Sequence, residues 1–567
     1  MQLLASNHVH CNRWGTVKYP IVTTGKNTAK ERELNNIPKH RKSVCYDMPV
    51  RSRSSERQPD VHNRLQHVVP IGIFLAAFFY SSFFLQGLRL FDNDYNQWLR
   101  YAREYSFPSI LGQIFNPILY DWNVDFRPTE ILIFKGLFSF FGYAAPGYYY
   151  FKSLLLAIFA ATYFVFLRRY LDNVAIAALS ALFVIVAESS FASLMWVSDF
   201  AVLSELLALI VYGIFLHLEA TQDTPNRVLI FSLASIAIVT LICDRTKANG
   251  KLIPAVLFLY VIASDWRKLK KYGWALAVMV ITILPWKVLI DNPAPFLYAK
   301  GGTVKPYAWQ PASLVQFWNL FGADFQPWSL IHSGHPPVSV LGIIGFPILY
   351  AFIVAMFILK LQPIHVDNTV RLLIIWAFIN IAALASYPSL PVHFQARYAI
   401  GVLVPTIPLL LLAISNAAYS MSKDMRIAQT VMAVLMTTPI ALHCYYTFQA
   451  RNDFPTLMIA SDTLREYVAQ HFTNTSFFYL NSPVMAFRPA DDRNEFFTSL
   501  DRDINTVASQ VRSKSNLYVI SFFPLKESFL DEPLAFPGKS NALYDRMFNT
   551  GSAGLYKYTF YLYKVKL

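Results

Sequence analysis

The sequence predicts a polytopic α-helical membrane protein of about eleven spans, N-terminus inside, with a small α/β or α+β domain at its C-terminal end on the outer face. Three observations carry this. Only 15% of the 567 residues are charged and 55% are hydrophobic, against about 25% charged in a soluble chain. The shortfall lies in long uncharged runs such as Val68 to Leu88, long enough to cross a bilayer. From Phe448 onward the balance becomes thirteen Lys/Arg to twelve Asp/Glu, the composition of a folded soluble domain.

The elements follow in order. Residues 1–66 carry twelve Lys/Arg against five Asp/Glu, and Pro38, Pro49 and Pro59 interrupt them. They read as a disordered basic cytosolic tail. A cleavable signal peptide is not expected, because the first apolar run starts only at Val68. Residues 67–447 form the membrane domain, with apolar runs near 68–88, 147–167, 174–192, 200–218, 228–242, 252–264, 273–290, 338–359, 370–387, 398–416 and 427–447. The runs at 228–242 and 252–264 are short, so they are either tilted and shielded by a bundle or partly re-entrant. Arg168-Arg169 and the cluster Arg267 to Lys271 fall on the same side as the basic tail, which places that side inside.

Two outer loops are long, 89–146 and 291–337, and a site is expected on the face they share. In the first, Tyr95 to Tyr105 sets Trp98, Tyr101, Ala102 and Tyr105 at helical spacing opposite Arg100, Arg103 and Glu104, predicting a helix along the membrane surface. Thr129 to Phe141 is apolar but too short to span, predicting an interfacial or half-inserted helix. Residues 448–567 alternate the short apolar runs Ser476–Leu480, Leu517–Phe523 and Leu555–Val565 with polar helical stretches such as Asp462 to His471.

Cys11, Cys45, Cys243 and Cys444 have no regular spacing, which excludes a disulfide framework or thiolate metal site as the organiser of the fold. No glycine-rich phosphate loop occurs, and the dispersed charges of the tail do not point to nucleic acid. His332 and His335 lack the carboxylate or thiol neighbours a metal site needs.

Four places could carry chemistry. Asp92 and Asp94 flank Asn93 directly after the first span. Such a pair can share a proton, hold a divalent cation, or supply a general base raised by partial burial; it can equally be a polar helix cap. Arg127-Pro128 opens the short helix, where an arginine fork and free backbone N–H groups suit a phosphate; the alternative is a snorkelling arginine paired with Asp125 or Glu130. Arg245, Lys247, Lys251 and Arg397 are cations on the predicted outer side, and an anionic lipid headgroup would account for them. A topology shifted by one span would account for the first three as well. Glu188, Trp196 and Asp199 lie in the tight outer hairpin between the third and fourth spans. Trp196 can be an interface anchor, and the two acids can accept sugar hydroxyls.

In this order the pieces resemble the multi-spanning C-type fold glycosyltransferases, closest to the protein O-mannosyltransferase type and its bacterial relatives. The likeness covers roughly residues 68 to 447: an acidic pair after the first span, a surface helix, Arg127-Pro128, Gly147-Tyr148-Tyr149-Tyr150 leading a span that ends in Arg168-Arg169-Tyr170, the Ser193 to Trp196 hairpin, the Lys247 to Pro254 turn and Ala396-Arg397-Tyr398. Two positions depart from the pattern: Asn93 splits the acidic pair, and Ala248 follows Lys247 where some members have an acid.

The resemblance implies transfer of a sugar from a polyprenyl-phosphate donor to a hydroxyl of a glycan, lipid or protein acceptor, with inversion, at the outer face of a plasma (inner) membrane that faces periplasm or exterior. Asp94 or Asp92 would be the base. Arg127 and Arg397, with Lys247 and Arg245, would meet the donor phosphate; Glu188, Asp199, Trp196 and His393 would line the substrate. No cofactor is required by this reading, although Asp92 and Asp94 could hold a divalent cation. The competing classes are a transporter or flippase, for which Glu205 is the one convincing mid-span ionisable group, and a non-catalytic scaffold.

Overall fold

The computed structural model describes residues 60–86, 105–116, 127–142, 144–195, 197, 199–221, 225–284, 367–385, 399–480, 495–499, 517–521, 530–537 and 559–566. All of these residues lie in the unit Asp60–Leu567.

Its helices are α1 (Asp60–Leu85), α2 (Phe107–Phe115), α3 (Pro128–Phe141), α4 (Ala145–Leu171), α5 (Val174–Val186), α6 (Glu188–Met195), α7 (Ala201–Ala220), α8 (Asn226–Thr246), α9 (Leu252–Asp265), α10 (Leu269–Ile283), α11 (Asn368–Ala385), α12 (Ile400–Ser422) and α13 (Met425–His471). Short 3-10 turns at Ala248–Lys251 and Trp266–Lys268 lead into α9 and α10. Among the described residues six helices are long and apolar enough to cross a membrane, in α1, α4, α7, α8, α12 and the first half of α13; the pair α5–α6, bent by 53°, makes a seventh if it is one span. α9 and α10, with 14 and 15 residues, reach roughly 21–23 Å at 1.5 Å per residue, short of the ~30 Å hydrocarbon core. The sequence reads both as spans, and length alone does not make them so. The run at 338–359 lies outside the described residues, as does the predicted surface helix from Tyr95 to Tyr105 except for its last residue.

The bundle is organised around α4, which packs against α1, α5 and α7, while α7 pairs with α8 and α12 with α11 and α13. Its packed face is aromatic: Tyr148, Phe159, Tyr163 and Phe164 are fully buried. Tyr163 donates to the Val404 carbonyl at 2.5 Å, joining α4 to α12 where Pro405 and Pro408 interrupt the helix ladder. At its other end α4 starts so close to α3 that a Cβ on Gly147 would lie 2.3 Å from the Phe141 ring.

Two readings of local structure are corrected. The run read as one span over 174–192, followed by the Ser193 to Trp196 hairpin, is instead broken, with a second helix at Glu188–Met195, and α1 begins at Asp60 rather than near residue 67. The boundary drawn between residues 447 and 448 falls inside α13, which continues as helix to His471 through Pro439 and Pro455. The hydropathy changes there while the helix continues, although each proline removes one ladder bond.

Beyond α13 lies a five-stranded sheet of β1 (Ser476–Leu480), β2 (Glu495–Ser499), β3 (Leu517–Ser521), β4 (Leu534–Pro537) and β5 (Thr559–Lys564), in the order β2-β1-β3-β5-β4. β2, β1 and β3 are parallel; β5 runs antiparallel to both β3 and β4. Leu464 and Val468 of α13 pack with Phe477, Ile520, Phe536 and Leu562 into a core separate from that of the bundle. The C-terminal part of α13 thus covers the sheet.

Candidate active site

α3 starts at Pro128, whose missing N–H and fixed φ suit the first helical position. The residue before it, Arg127, caps the helix without a side-chain hydrogen bond to the backbone. Its guanidinium instead turns to the next residue but two: Arg127 Nη1 lies 3.3 Å from Glu130 Oε2 and 3.5 Å from Oε1. The arginine side chain is 30% exposed and the glutamate fully buried. A carboxylate in the first turn suits the helix dipole, yet burial dominates and pushes Glu130 up to about 7, against the opposing pull of Arg127.

Three other elements bring charge to the same place. Lys152, one third of the way along α4, is buried, sits 4.4 Å from the centre of the Phe200 ring and reaches the Ser193 carbonyl at 3.5 Å. Asp199, between α6 and α7, accepts the Ala201 N–H at 2.7 Å and the Lys247 ammonium at 2.8 Å through one oxygen. Lys247 follows the last turn of α8, and it, Asp199, Lys152 and Arg127 are the charges that act on Glu130.

The same turn carries the rest of the cluster. Arg245 is fully buried, bonded to Asp244 and, at 3.1 Å, to the Thr282 carbonyl of α10. Thr129 Oγ1 lies 3.5 Å from the Ile242 carbonyl, holding the start of α3 against the end of α8. Gly250 lets the 3-10 turn fold back on α8: a Cβ there would stand 2.2 Å from the Asp244 backbone nitrogen. Lys251 ends that turn, and burial lowers its pKa against the opposing effect of Asp244, with Arg245 and Arg127 adding to the lowering. Among the described residues the cluster therefore joins five cations, Arg127, Lys152, Arg245, Lys247 and Lys251, to three carboxylates, Glu130, Asp199 and Asp244. No group of three His, Cys, Asp or Glu suited to a metal occurs among the described residues.

The predicted site residues divide accordingly. Arg127, Lys247, Arg245 and Asp199 come together here. Asp92, Asp94, His393 and Arg397 lie outside the described residues, as do Trp196 and the side chain of Glu188. Lys152 and the burial of Glu130 are missed by the sequence reading. A lysine inside an apolar run was the available signal for the first.

The cluster also fixes one relation of sides. Asp199 precedes α7, and at that helix's far end Glu219 bonds Lys268 and accepts the Tyr272 hydroxyl at 2.7 Å, beside the Arg169–His217 contact of 3.2 Å. The twenty residues of α7 separate the two groups by roughly 30 Å. Arg127 and Lys247 thus share one end of the bundle, and Arg169 and Lys268 the other.

No protein-family model and no curated protein sequence matches this chain. Its fold does have a solved counterpart. The crystal structure of ArnT from Cupriavidus metallidurans in the apo state matches with a TM-score of 0.50 and 14% sequence identity, over 89% of this chain and 98% of that one. ArnT is a C-type glycosyltransferase, and the likeness extends through nearly the whole of it, so the chain described here has the C-type glycosyltransferase fold.

Proposed function

We propose that the protein is a membrane glycosyltransferase that moves a sugar from a polyprenyl-phosphate donor to a hydroxyl acceptor at the outer face. The observation that carries this reading is the gathering of five cations at one end of a bundle with the C-type fold, with Arg127 and Lys251 only partly buried. Such a group of cations suits an anionic ligand, and a lipid phosphate can bring that charge from the bilayer edge.

Arg127 is a partly open member of the cluster, and its planar fork suits phosphate oxygens; Arg397 completes the clamp. Arg245 and Lys247 are engaged by Asp244 and Asp199, so they add positive potential from behind. Asp94, or Asp92 in its place, takes the proton of the acceptor hydroxyl as the oxygen attacks the anomeric carbon. The bond from that carbon to the phosphate breaks on the opposite face, inverting the centre, and the clamp stabilises the charge on the departing phosphate. Asp199, Glu188, Trp196 and His393 line the sugar and acceptor. The Asp92/Asp94 pair is also where a divalent cation would act, a role that loss of turnover on chelation would assign.

The test is the lipid carried by the purified protein. A polyprenyl-phosphate sugar in the extract, converted to free polyprenyl phosphate when a hydroxyl acceptor is added, supports the reading. A protein that carries no such lipid and leaves added polyprenyl-phosphate sugars intact with every acceptor class removes it.

A further inference from the structure

The transfer reaction needs a cationic clamp, yet the cation best placed to form it already has a partner. Glu130 is buried beneath Arg127 at 3.3 Å, in the first turn of the helix that Arg127 caps. Charge reaches this carboxyl from Arg127 ahead of α3, Lys152 of α4, Asp199 ahead of α7 and Lys247 at the end of α8, while α2, which also packs on α3, brings none. Lys247 is spent on Asp199 at 2.8 Å. Lys152 lies over the Phe200 ring and reaches the Ser193 carbonyl. Arg127 is thus the cation in direct contact with Glu130, and it is partly open to an arriving anion.

We propose that Glu130 takes up a proton when a lipid phosphate binds at Arg127, so that donor binding and protonation of this carboxyl are a single coupled event. The inference rests on the reading of Arg127 as a phosphate ligand. Two outcomes of phosphate arrival are open, and both act in the same direction. If the guanidinium turns toward the phosphate, Glu130 loses its main counter-charge. If the guanidinium is shared between them, a second anion stands beside a carboxylate already shielded from water. In either case the ionised form of a buried acid becomes more costly, and such a group neutralises rather than remain an unpaired charge. The proton comes from solvent and forms a carboxylic acid; no other bond changes. Because burial already holds the free carboxyl near pH 7, a modest further rise keeps it protonated across the neutral range. Glu130 is in this sense a positioning residue: ionised, it holds Arg127 in place; protonated, it releases the full charge of the guanidinium to the phosphate.

The sign of the pH dependence follows. Above about 7 the free protein carries an ionised Glu130, and binding must draw a proton, so affinity falls as pH rises, by up to tenfold per unit for one proton. A phosphate monoester completes its own ionisation near pH 6, so the window from 7 to 8.5 isolates the protein group.

The experiment is calorimetric titration of the full-length protein in nanodiscs with undecaprenyl phosphate at pH 8, in buffers of different ionisation enthalpy, together with affinities from pH 7 to 8.5. The expected result is uptake of most of one proton and an affinity that declines with pH. In Glu130→Gln, which keeps shape and hydrogen bonding, uptake should vanish and the affinity should become flat over that window. Infrared difference spectra should show a protonated-carboxyl band on lipid binding in the natural protein and none in Glu130→Gln. Binding without proton uptake, or uptake that persists in Glu130→Gln, overturns the coupling while leaving the phosphate reading of Arg127 intact. Absence of lipid binding by the natural protein overturns both. Equal uptake with inorganic phosphate would keep the coupling and discard the lipid as its required source.

Discussion

At the scale of single residues, the chemistry is predicted to depend on groups whose neighbours differ. Asp94→Asn preserves shape and removes basicity, so it should fold, bind donor and lose turnover by roughly a hundredfold or more, with Asp92→Asn doing less. A dead Asp92→Asn beside an active Asp94→Asn would reverse the two roles, and two active variants would remove the base from this loop. Arg127→Lys and Arg397→Lys keep charge but not the fork, and should weaken donor binding in a folded protein; unchanged affinity in both would make them anchors. Lys247 differs because it is buried against Asp199. Truncating it strands a carboxylate, at a cost on the order of 3–5 kcal/mol, so Lys247→Met should lower folded yield, and Lys247→Met with Asp199→Asn should recover it. Glu130 also ties stability to pH. Its carboxyl is raised in the folded state from an ordinary value near 4.5 to about 7; its contribution is complete below the former and lost as pH rises through the latter. The melting-temperature difference between Glu130→Gln and the natural protein should therefore shift in favour of the variant from pH 4.5 to 8. Much of this site was legible as letters: Arg127-Pro128 announces a cation at a helix start, and Glu130 was one of two named partners for it. What the letters do not carry is contact. The apolar run around Lys152 hints at its burial, but nothing in the order of residues places it over the Phe200 ring.

At the scale of elements, periodicity and length gave most of the helices, because a membrane run and a helix share the same ends when a polar turn follows. They diverge where tertiary contact decides. Glu188 to Met195 reads as the end of a span running into a hairpin, since eight residues hold no periodic signal of their own, but it forms a separate helix whose Phe191 and Leu194 join the core of the bundle. The amphipathic α2 escaped for the same reason of length, and buries Ile110 and Ile114. Close approach is similarly silent in the sequence. Gly250 looks like any turn glycine, whereas its missing side chain is what lets the 3-10 turn lie on the Asp244 backbone. Gly250→Ala should displace Lys247 and Lys251 together and lower both folded yield and donor affinity, while Gly273→Ala, with open space at its Cβ, should change neither. Equal behaviour of the two variants in a yield and lipid-binding assay would show that the turn tolerates a shift.

At the scale of the whole molecule, the two charged ends of α7 predict sidedness. Single cysteines at Ser139 and Ser513 should react with an impermeant thiol reagent in intact cells, and one at Ser264 should not. Labelling of Ser264 with protection of Ser513 would invert the orientation and move the reaction to the other leaflet. The C-terminal sheet was foreseen from three short apolar runs that became β1, β3 and β5; its attachment was not, because a drop in hydropathy looks the same whether a helix stops or merely leaves the bilayer. Here it does not stop. The 47 residues of α13, with Pro439 and Pro455 among them, make about 70 Å of helix along its path, with one end among the spans and the other covering the sheet. A helix transmits rotation. One residue inserted between its two cores would swing the sheet by about 100° about the helix axis, and seven would bring it back to within about 20° while moving it roughly 10 Å farther from the spans. The bearing of the C-terminal sheet is thus counted in residues rather than held by a tether.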